Sequence, residues 1–484
     1  MNGGEGDPVS SGDWQRRAAR GLMVLMVCEG VVRTLALASH VVLARLLSPE
    51  ALGAFAVVVF AVGLFDAVGE LGLSGALVQR RESLTASDQR TAFTLQILIE
   101  GGSVVLIWLA APYLAAAYRL PPHTVPLFRW LSLSLLISTL ALIPEARLER
   151  KLDYRRLSLA RALRAAVYHA MAMALALAGL GIWSLGLAFL ASVVVGTGVL
   201  WALAPWRPGW SWDRVSVRWL LRFGGPFQAQ RLVHLAKDNV APALGMLYGA
   251  GGVGYLNFAS RLTSLSGAPA ALVNRISFAT YARVQDDPAA MGATLELAVR
   301  WTALLSFPLI AILCGLGWPI VHLIYTDKWL PALPALYLLC ADAVFGVLTG
   351  LLMPVLQATG RLSAALRLSL AWTGLTWALA LALVWSPLGF AGVAAAYALS
   401  TPLAALLLAR QIRAVAPVRL LPNAGPAAAA AVAAGAIMAL VAAWLGASLA
   451  ILAVAAAVGL AVYGVLIAWW QGRRLLADAR ELRQ

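Results

Sequence analysis

Long apolar runs alternate with short polar stretches along the whole chain. Runs long enough to cross a hydrocarbon core of about 30 Å recur from residue 21 almost to the end. Read against turn residues and charges, they predict about fourteen membrane-spanning helices. These lie near 21–44, 51–77, 91–116, 125–146, 158–179, 182–203, 219–247, 252–277, 294–316, 333–357, 363–385, 389–411, 424–444 and 449–470. The predicted fold class is an all-α polytopic membrane protein. The first run is too long and, at Glu29 and Arg33, too polar for a cleaved signal segment, so it is expected to be a retained span.

One run breaks the apolar pattern. Phe223 to Tyr248 carries Gln228, Gln230, Arg231, His234, Lys237, Asp238 and Asn239 near its middle. A central charge in a bilayer helix costs at least ~2.5–3.5 kcal/mol on insertion scales. Positions 227, 230/231, 234, 237/238 and 241 recur at the spacing of one helix face. That face is expected to look into protein or into a water-filled cavity. Three other spans behave alike: Glu29, Arg33 and His40 in the first, Asp66 and Glu70 in the second, and Asn257, Arg261 and Ser264 in the eighth. Glu100, Arg129, Arg300 and Asp342 are weaker candidates, nearer the ends of their spans. Some of these groups are placed to neutralise one another, as Glu29 with Arg33 or Asp238 with Lys237 or Arg231, and Arg300 is close enough to an end to snorkel. As a set they exceed what packing requires. The preferred reading is a cavity for an anionic, polar ligand, since the arginine fork suits bidentate capture of phosphate or carboxylate.

Composition narrows the class. With 61% hydrophobic and 12% charged residues the chain is not a soluble globular protein. The net charge of +15 permits nucleic-acid binding, but the basic residues fall where membrane topology wants them. With the N-terminus inside, the inside connections carry Arg16/Arg17/Arg20, Arg80/Arg81/Arg90, Arg147/Arg150/Lys151/Arg155/Arg156, Arg207/Arg214/Arg218 and Arg275/Arg283. They continue with Arg361/Arg367, Arg410/Arg413/Arg419 and Arg473/Arg474/Arg480, against Arg45, Arg119 and Lys328 outside. An even number of spans with both ends cytoplasmic is expected. The segment around Trp318–Leu330 is expected as an interfacial helix or loop with its aromatics at headgroup level. Cys28, Cys314 and Cys340 stand in apolar surroundings without metal-ligand spacing. No connection is long enough for a catalytic domain, and there is no phosphate-binding glycine loop, GxSxG or HExxH. A catalytic site, a metal and a cofactor are therefore not expected, and the protein is not read as an enzyme.

A weak internal repeat sets the organisation. LLSPEALGAFA (Leu46–Ala56) and MLYGAGGVGYLNFA (Met246–Ala259) each place a Leu, a small-residue turn, and Gly followed closely by an aromatic, six spans apart. Six is even, so the repeat would be parallel. The expected division is a tail over 1–20, a first lobe over 21–204, a linker over 205–218, a second lobe over 219–414, two added helices over 415–470 and a tail over 471–484. The added spans, Ala-rich and nearly free of polar groups, are expected to face lipid. Gly224-Gly225-Pro226, Pro242, Pro269, Pro308, Pro354 and Pro402 are bending points or ordinary membrane prolines.

Five segments carry a family resemblance: ARLLSPEALGAFA (Ala44–Ala56), LVQRRESLTASDQRTAF (Leu77–Phe93), IPEARLERKLDYRRLSLAR (Ile143–Arg161), Phe223–Leu262 and RISFATYARVQDD (Arg275–Asp287). In order and spacing they resemble the polysaccharide transporter family, the Wzx-type flippases of lipid-linked oligosaccharides, with the exopolysaccharide exporter branch closest. The superfamily also holds the multidrug/toxin extruders and the lipid II flippase. The resemblance implies two six-helix lobes plus two helices and a cationic cavity taking an undecaprenyl-pyrophosphate-linked repeat unit across the bacterial inner membrane. Arg33, Arg231, Lys237, Arg261 and Asn257 are then the substrate-binding candidates. Glu29, Asp66, Glu70, His234 and Asp238 are the candidates for coupling to H+ or Na+. Membrane lipids and the polymerase and glycosyltransferases of the same pathway are implied partners, and nucleic acid is not. The alternatives are a multidrug/toxin-type cation exporter of the same fold and a membrane-embedded polymerase or ligase.

Overall fold

The computed structural model describes residues 30–80, 84–446 and 448–481. They contain no strand. The helices are α1 (30–46), α2 (Pro49–Gly69), α3 (Leu73–Gln79), α4 (Ala86–Ala117), α5 (Val125–Arg150), α6 (Tyr154–Leu177), α7 (Trp183–Leu203) and α8 (Arg214–Asp238). They continue with α9 (Val240–Ser264), α10 (Ala268–Arg283), α11 (Pro288–Ile320), α12 (Leu333–Ala358), α13 (Leu362–Val384), α14 (Ala391–Arg413), α15 (Leu420–Leu445) and α16 (Leu449–Glu481). Among the described residues, 10 helices are long and apolar enough to cross a membrane. The other four expected spans fall on α1, on α6 with its Arg155, Arg156, Arg161 and Arg164, and on helices that are interrupted.

The interruptions were not legible in the apolar pattern. The second expected span is α2 and α3, separated at Leu71 (φ 47°) and Gly72 (φ 67°). The seventh is α8 plus the start of α9, parted at Asn239 (φ −115°, ψ 25°). Gly249 (φ 81°, ψ 170°) then turns the chain inside α9, a conformation in which a Cβ is strained, and the eighth span follows as the rest of α9 with α10. Local signals explain the starts: the Ser48 hydroxyl accepts from the Ala51 amide (3.2 Å) ahead of Pro49, and Thr85 and Asp88 form a capping box.

The described residues divide into two compact units, one over 30–51 and 58–235, the other over 52–57 and 236–481. The boundary between the two units within α8 falls at Leu235/Ala236. Hydrogen bonds explain why the 205–218 connection stays with the first unit. Arg147 donates to the Pro205 carbonyl (3.0 Å), the Ser211 amide to Thr94 Oγ1 (3.2 Å), the Asp213 amide to Thr91 Oγ1 (3.3 Å) and Ser216 Oγ to Asp88 (2.7 Å). Asp88 also pairs with Arg80 (2.6 Å), whose guanidinium lies 4.8 Å from the Trp219 ring centroid. Hydrogen bonds from the Ser216 hydroxyl, the Ser216 amide and the Val215 amide hold the Asp213 carboxyl below the usual carboxylate range. Within this unit α5 packs on α4 and α7, and α7 on α6.

In the second unit α12 packs on α14, α11 on α15, and α15 on α16. The two C-terminal helices are docked on one face and not simply surrounded by lipid. Gly315 of α11 meets the Gly435 backbone of α15 in the close approach that small residues allow. Arg300 donates to Asn423 Oδ1 (2.9 and 3.1 Å), and the Tyr463 hydroxyl donates to the Leu304 carbonyl (3.0 Å). In the 318–330 segment, α11 passes into a wide turn over Val321–Tyr325. Trp329 there is fully buried, 4.4 Å from Phe258 and 6.1 Å from Tyr255 between ring centroids, whereas Trp318 is exposed and stacks on His322. A tryptophan that fills a core hole stabilises more than one left at a surface.

The two turns of the sequence repeat meet. Residues 52–57 belong to the second unit, where Gly53 lies directly against the Ala250 carbonyl and the Gly254 amide. Any Cβ at 53 would collide with backbone, which cannot move aside as a side chain does. Gly53→Ala is therefore expected to lower the thermal midpoint and the folded yield in detergent, at a cost of about 1–3 kcal/mol. Gly63→Ala, ten residues along the same helix with open space at its Cβ position, serves as control and should be neutral. Equal midpoints for the two variants would remove the close crossing from the account.

Candidate functional site

In the first unit the break after α2 places acidic side chains around a cavity of about 310 Å³. Asp66 and Glu70 line it from α2, Gln96 from α4, Ser138, Thr139, Glu145 and Glu149 from α5, and Arg161 from α6. The α5 positions 138, 142, 145 and 149 share one helix face. Arg161 Nη2 bridges Glu145 (2.9 Å) and Glu149 (3.4 Å), and the Ser74 hydroxyl donates to Glu70. Asp66 and Glu70, two coupling candidates of the sequence, are thus brought together. Their neighbours on α4 and α5 were missed as members of the site. The i,i+4 pairs Gln96/Glu100 and Glu145/Glu149 were the available signal.

In the second unit α8 ends at Asp238, and the carbonyls freed there are capped by side chains. Trp377 Nε1 donates to the Ala236 carbonyl (2.9 Å) and the Tyr397 hydroxyl to the Lys237 carbonyl (2.8 Å). The half-buried Lys237 ammonium lies 3.6 Å from the centroid of the Trp372 ring, within electrostatic reach of Asp238 and Asp342. Lys237 is therefore held among α12, α13 and the end of α8, while Asp238 itself is exposed. Asp342 and Trp372 join this cluster, and their distance in sequence hid it.

Arg33 is exposed on α1. On α9 the exposed Arg261 donates from Nε to Asn257 Oδ1 at 3.4 Å, so the two share a helix face as their spacing predicted. Glu29 and the side chains of Arg231 and His234 lie outside the described residues.

Residues 42–334 match the family described as "Polysaccharide biosynthesis protein". The chain belongs to this family. Among its relatives is the lipopolysaccharide biosynthesis protein WzxC of Escherichia coli (strain K12). It is 22% identical over 333 residues, covering 67% of this chain and 66% of WzxC. The succinoglycan biosynthesis transport protein ExoT of Rhizobium meliloti (strain 1021) is 26% identical over 327 residues, covering 66% of this chain and 65% of ExoT. The chain thus spans just under two thirds of the length of either relative. Among solved structures, the inward closed conformation of the lipid II flippase MurJ has a TM-score of 0.78 at 17% identity. It covers 94% of this chain and 100% of MurJ, a likeness of fold. The acid-lined cavity falls inside the matched family region, whereas Asp342 and Trp372 lie beyond it.

The Lys237 cluster generates a pairwise test. Removing one of two interacting charges leaves the other uncompensated. Lys237→Met is expected to destabilise the protein in detergent by about 1 kcal/mol, and Asp342→Asn combined with it to restore part of that loss. Thermal midpoints of the two singles and the double measure the coupling. Strictly additive losses would mean that ammonium and carboxylate do not interact.

Proposed function

We propose that this protein is a flippase that moves undecaprenyl-pyrophosphate-linked oligosaccharide repeat units across the bacterial inner membrane for exopolysaccharide or O-antigen assembly. The family match over residues 42–334 carries the reading. Its relatives support it, one a lipopolysaccharide biosynthesis protein and the other a succinoglycan biosynthesis transport protein. The shared fold with a lipid II flippase is consistent with it.

Physical chemistry supports the same substrate. A sugar headgroup with two phosphates cannot cross hydrocarbon without a polar path, because each unsatisfied charge or hydrogen-bonding group there costs several kcal/mol. Arg33, Arg231 and Arg261, with Asn257, are the groups to which we assign the pyrophosphate, since guanidinium offers two parallel donors to phosphate oxygens. Lys237, engaged with Trp372, is assigned to holding the end of α8 in position. The cycle is one of alternating access driven by an H+ or Na+ gradient, with Glu29, Asp66, Glu70, His234 and Asp238 as carriers and both termini cytoplasmic. Polymerase and glycosyltransferases of the pathway would work at either face.

The experiment is translocation of a fluorescent pyrophosphate-linked oligosaccharide lipid in proteoliposomes. Arg33→Ala and Arg261→Ala are each expected to slow it by about ten- to a hundredfold, the worth of one charge-assisted hydrogen bond, with the thermal midpoint unchanged. Wild-type rates in both variants would rule out the arginine path.

A further inference from the structure

Among the described residues, Glu100 is a buried carboxyl that no cation neutralises. It lies on α4 only 1% exposed, and its Oε2 has no hydrogen-bond partner among the described residues. Its Oε1 accepts from Gln96 Nε2 at 2.8 Å. Gln96 is itself 5% exposed, lines the acid cavity of the first unit and leaves its own Oε1 without a partner among the described residues. One amide side chain therefore separates the buried carboxyl from the cavity.

The Glu100 carboxyl also packs against α2 at Gly69, where an added Cβ would lie 2.7 Å from Oε1 and 3.2 Å from Oε2, so a larger residue there would make the carboxyl shift. Asp66 is within electrostatic reach of Glu100. The charged groups facing this region come from three further elements. They are Asp66 and Glu70 on α2, Glu145 and Glu149 on α5, and Arg161 and Arg164 on α6. Arg161 is occupied by Glu145 and Glu149, and Arg164 is within reach of Glu145 and Asp66. Among the described residues Glu100 forms no ion pair.

A carboxylate at such a place, with one oxygen unsatisfied and carboxylates beside it, is strongly disfavoured, whereas the neutral acid is not. The cavity is large enough for water. At about 30 Å³ per molecule its roughly 310 Å³ holds about ten waters. Hydroxyls, carboxylates and the Gln96 amide oxygen give those waters partners.

We propose that Glu100 is a proton-binding carboxyl and that the acid-lined cavity, gated by Gln96, is its access to water. An excess proton carried as hydronium through the cavity waters forms an O–H bond to Oε2 as its own O–H bond to water breaks, which neutralises the carboxylate and leaves neutral water. Release returns it to water by the same chain, with no change in oxidation state. That this proton is the one coupled to translocation rests on the flippase reading above. The site itself does not.

Infrared difference spectra of the full-length protein between acid and alkaline buffer test the site without any transport. The carbonyl band of a protonated carboxylic acid is expected in the wild type, lost in Glu100→Gln, retained in Glu145→Gln, and moved in frequency by Glu100→Asp. The Asp variant carries the test should the Gln variant fold poorly. An unchanged band in Glu100→Gln, or one abolished by sodium at constant pH, overturns the proposal, the latter in favour of a sodium site. In proteoliposomes a pH gradient should accelerate translocation by the wild type, and Glu100→Gln should lose that stimulation while gradient-free exchange continues. Undiminished stimulation overturns the coupling role. If the wild type moves no lipid-linked oligosaccharide, the flippase reading fails while the infrared assignment stands. If it does and the band is not from Glu100, this proposal fails alone.

Discussion

In a hydrocarbon layer each freed backbone carbonyl and each charge must be satisfied from within the protein, because no water is at hand to do it. Most of the distinctive structure here answers that requirement. Where α2 ends, Gln228 donates its amide to the Ala67 carbonyl. Where α8 ends, Trp377 and Tyr397 do the same for Ala236 and Lys237. The helix breaks are thus affordable only because side chains from other helices arrive to cap them. Those same breaks are what gather ionisable groups: Asp66 and Glu70 stand beside the first, Lys237 and Asp238 beside the second.

The two sites use opposite solutions for charge. At the end of α8 the ammonium of Lys237 is delivered on a flexible stem to the face of Trp372 and to the carboxylates around it. The positive group there is covalently supplied. The first unit instead collects four carboxylates and one arginine around a cavity of about 310 Å³, and hides a fifth carboxyl, Glu100, behind Gln96. There an exchangeable positive charge is the economical answer, since a proton can come and go through water.

The arginines at the polar ends show how one residue type serves two demands. Their distribution among the connections marks topology. Arg147 and Arg150 also act as staples: Arg147 donates to Gln89 (3.0 Å from Nε), and Arg150 to the carbonyls of Leu77 (2.9 Å) and Arg80 (2.6 Å). These bonds fasten the end of α3 and the 205–213 connection to α5, which is why that connection belongs to the first unit.

Much was determined by the sequence alone. Apolar run length settles where helices lie, because a span needs about twenty apolar residues whatever its neighbours. The face containing Asn257 and Arg261 followed from helical spacing, a local property. The glycines at 53 and 254 were visible as a repeat, though not as a contact. Tertiary structure decided everything that depends on residues far apart in the chain. Leu71 carries no sign that its φ is positive, since the break is stabilised by packing and by caps from elsewhere. Lys237 gave no hint of Trp372, 135 positions away by residue number, nor Glu100 of Gly69. Trp329 read as an interfacial aromatic and is buried, because Phe258 and Tyr255 supply a hole that no local pattern records. Periodicity reports which way a side chain points from its own helix; what it meets there is a property of the other helices.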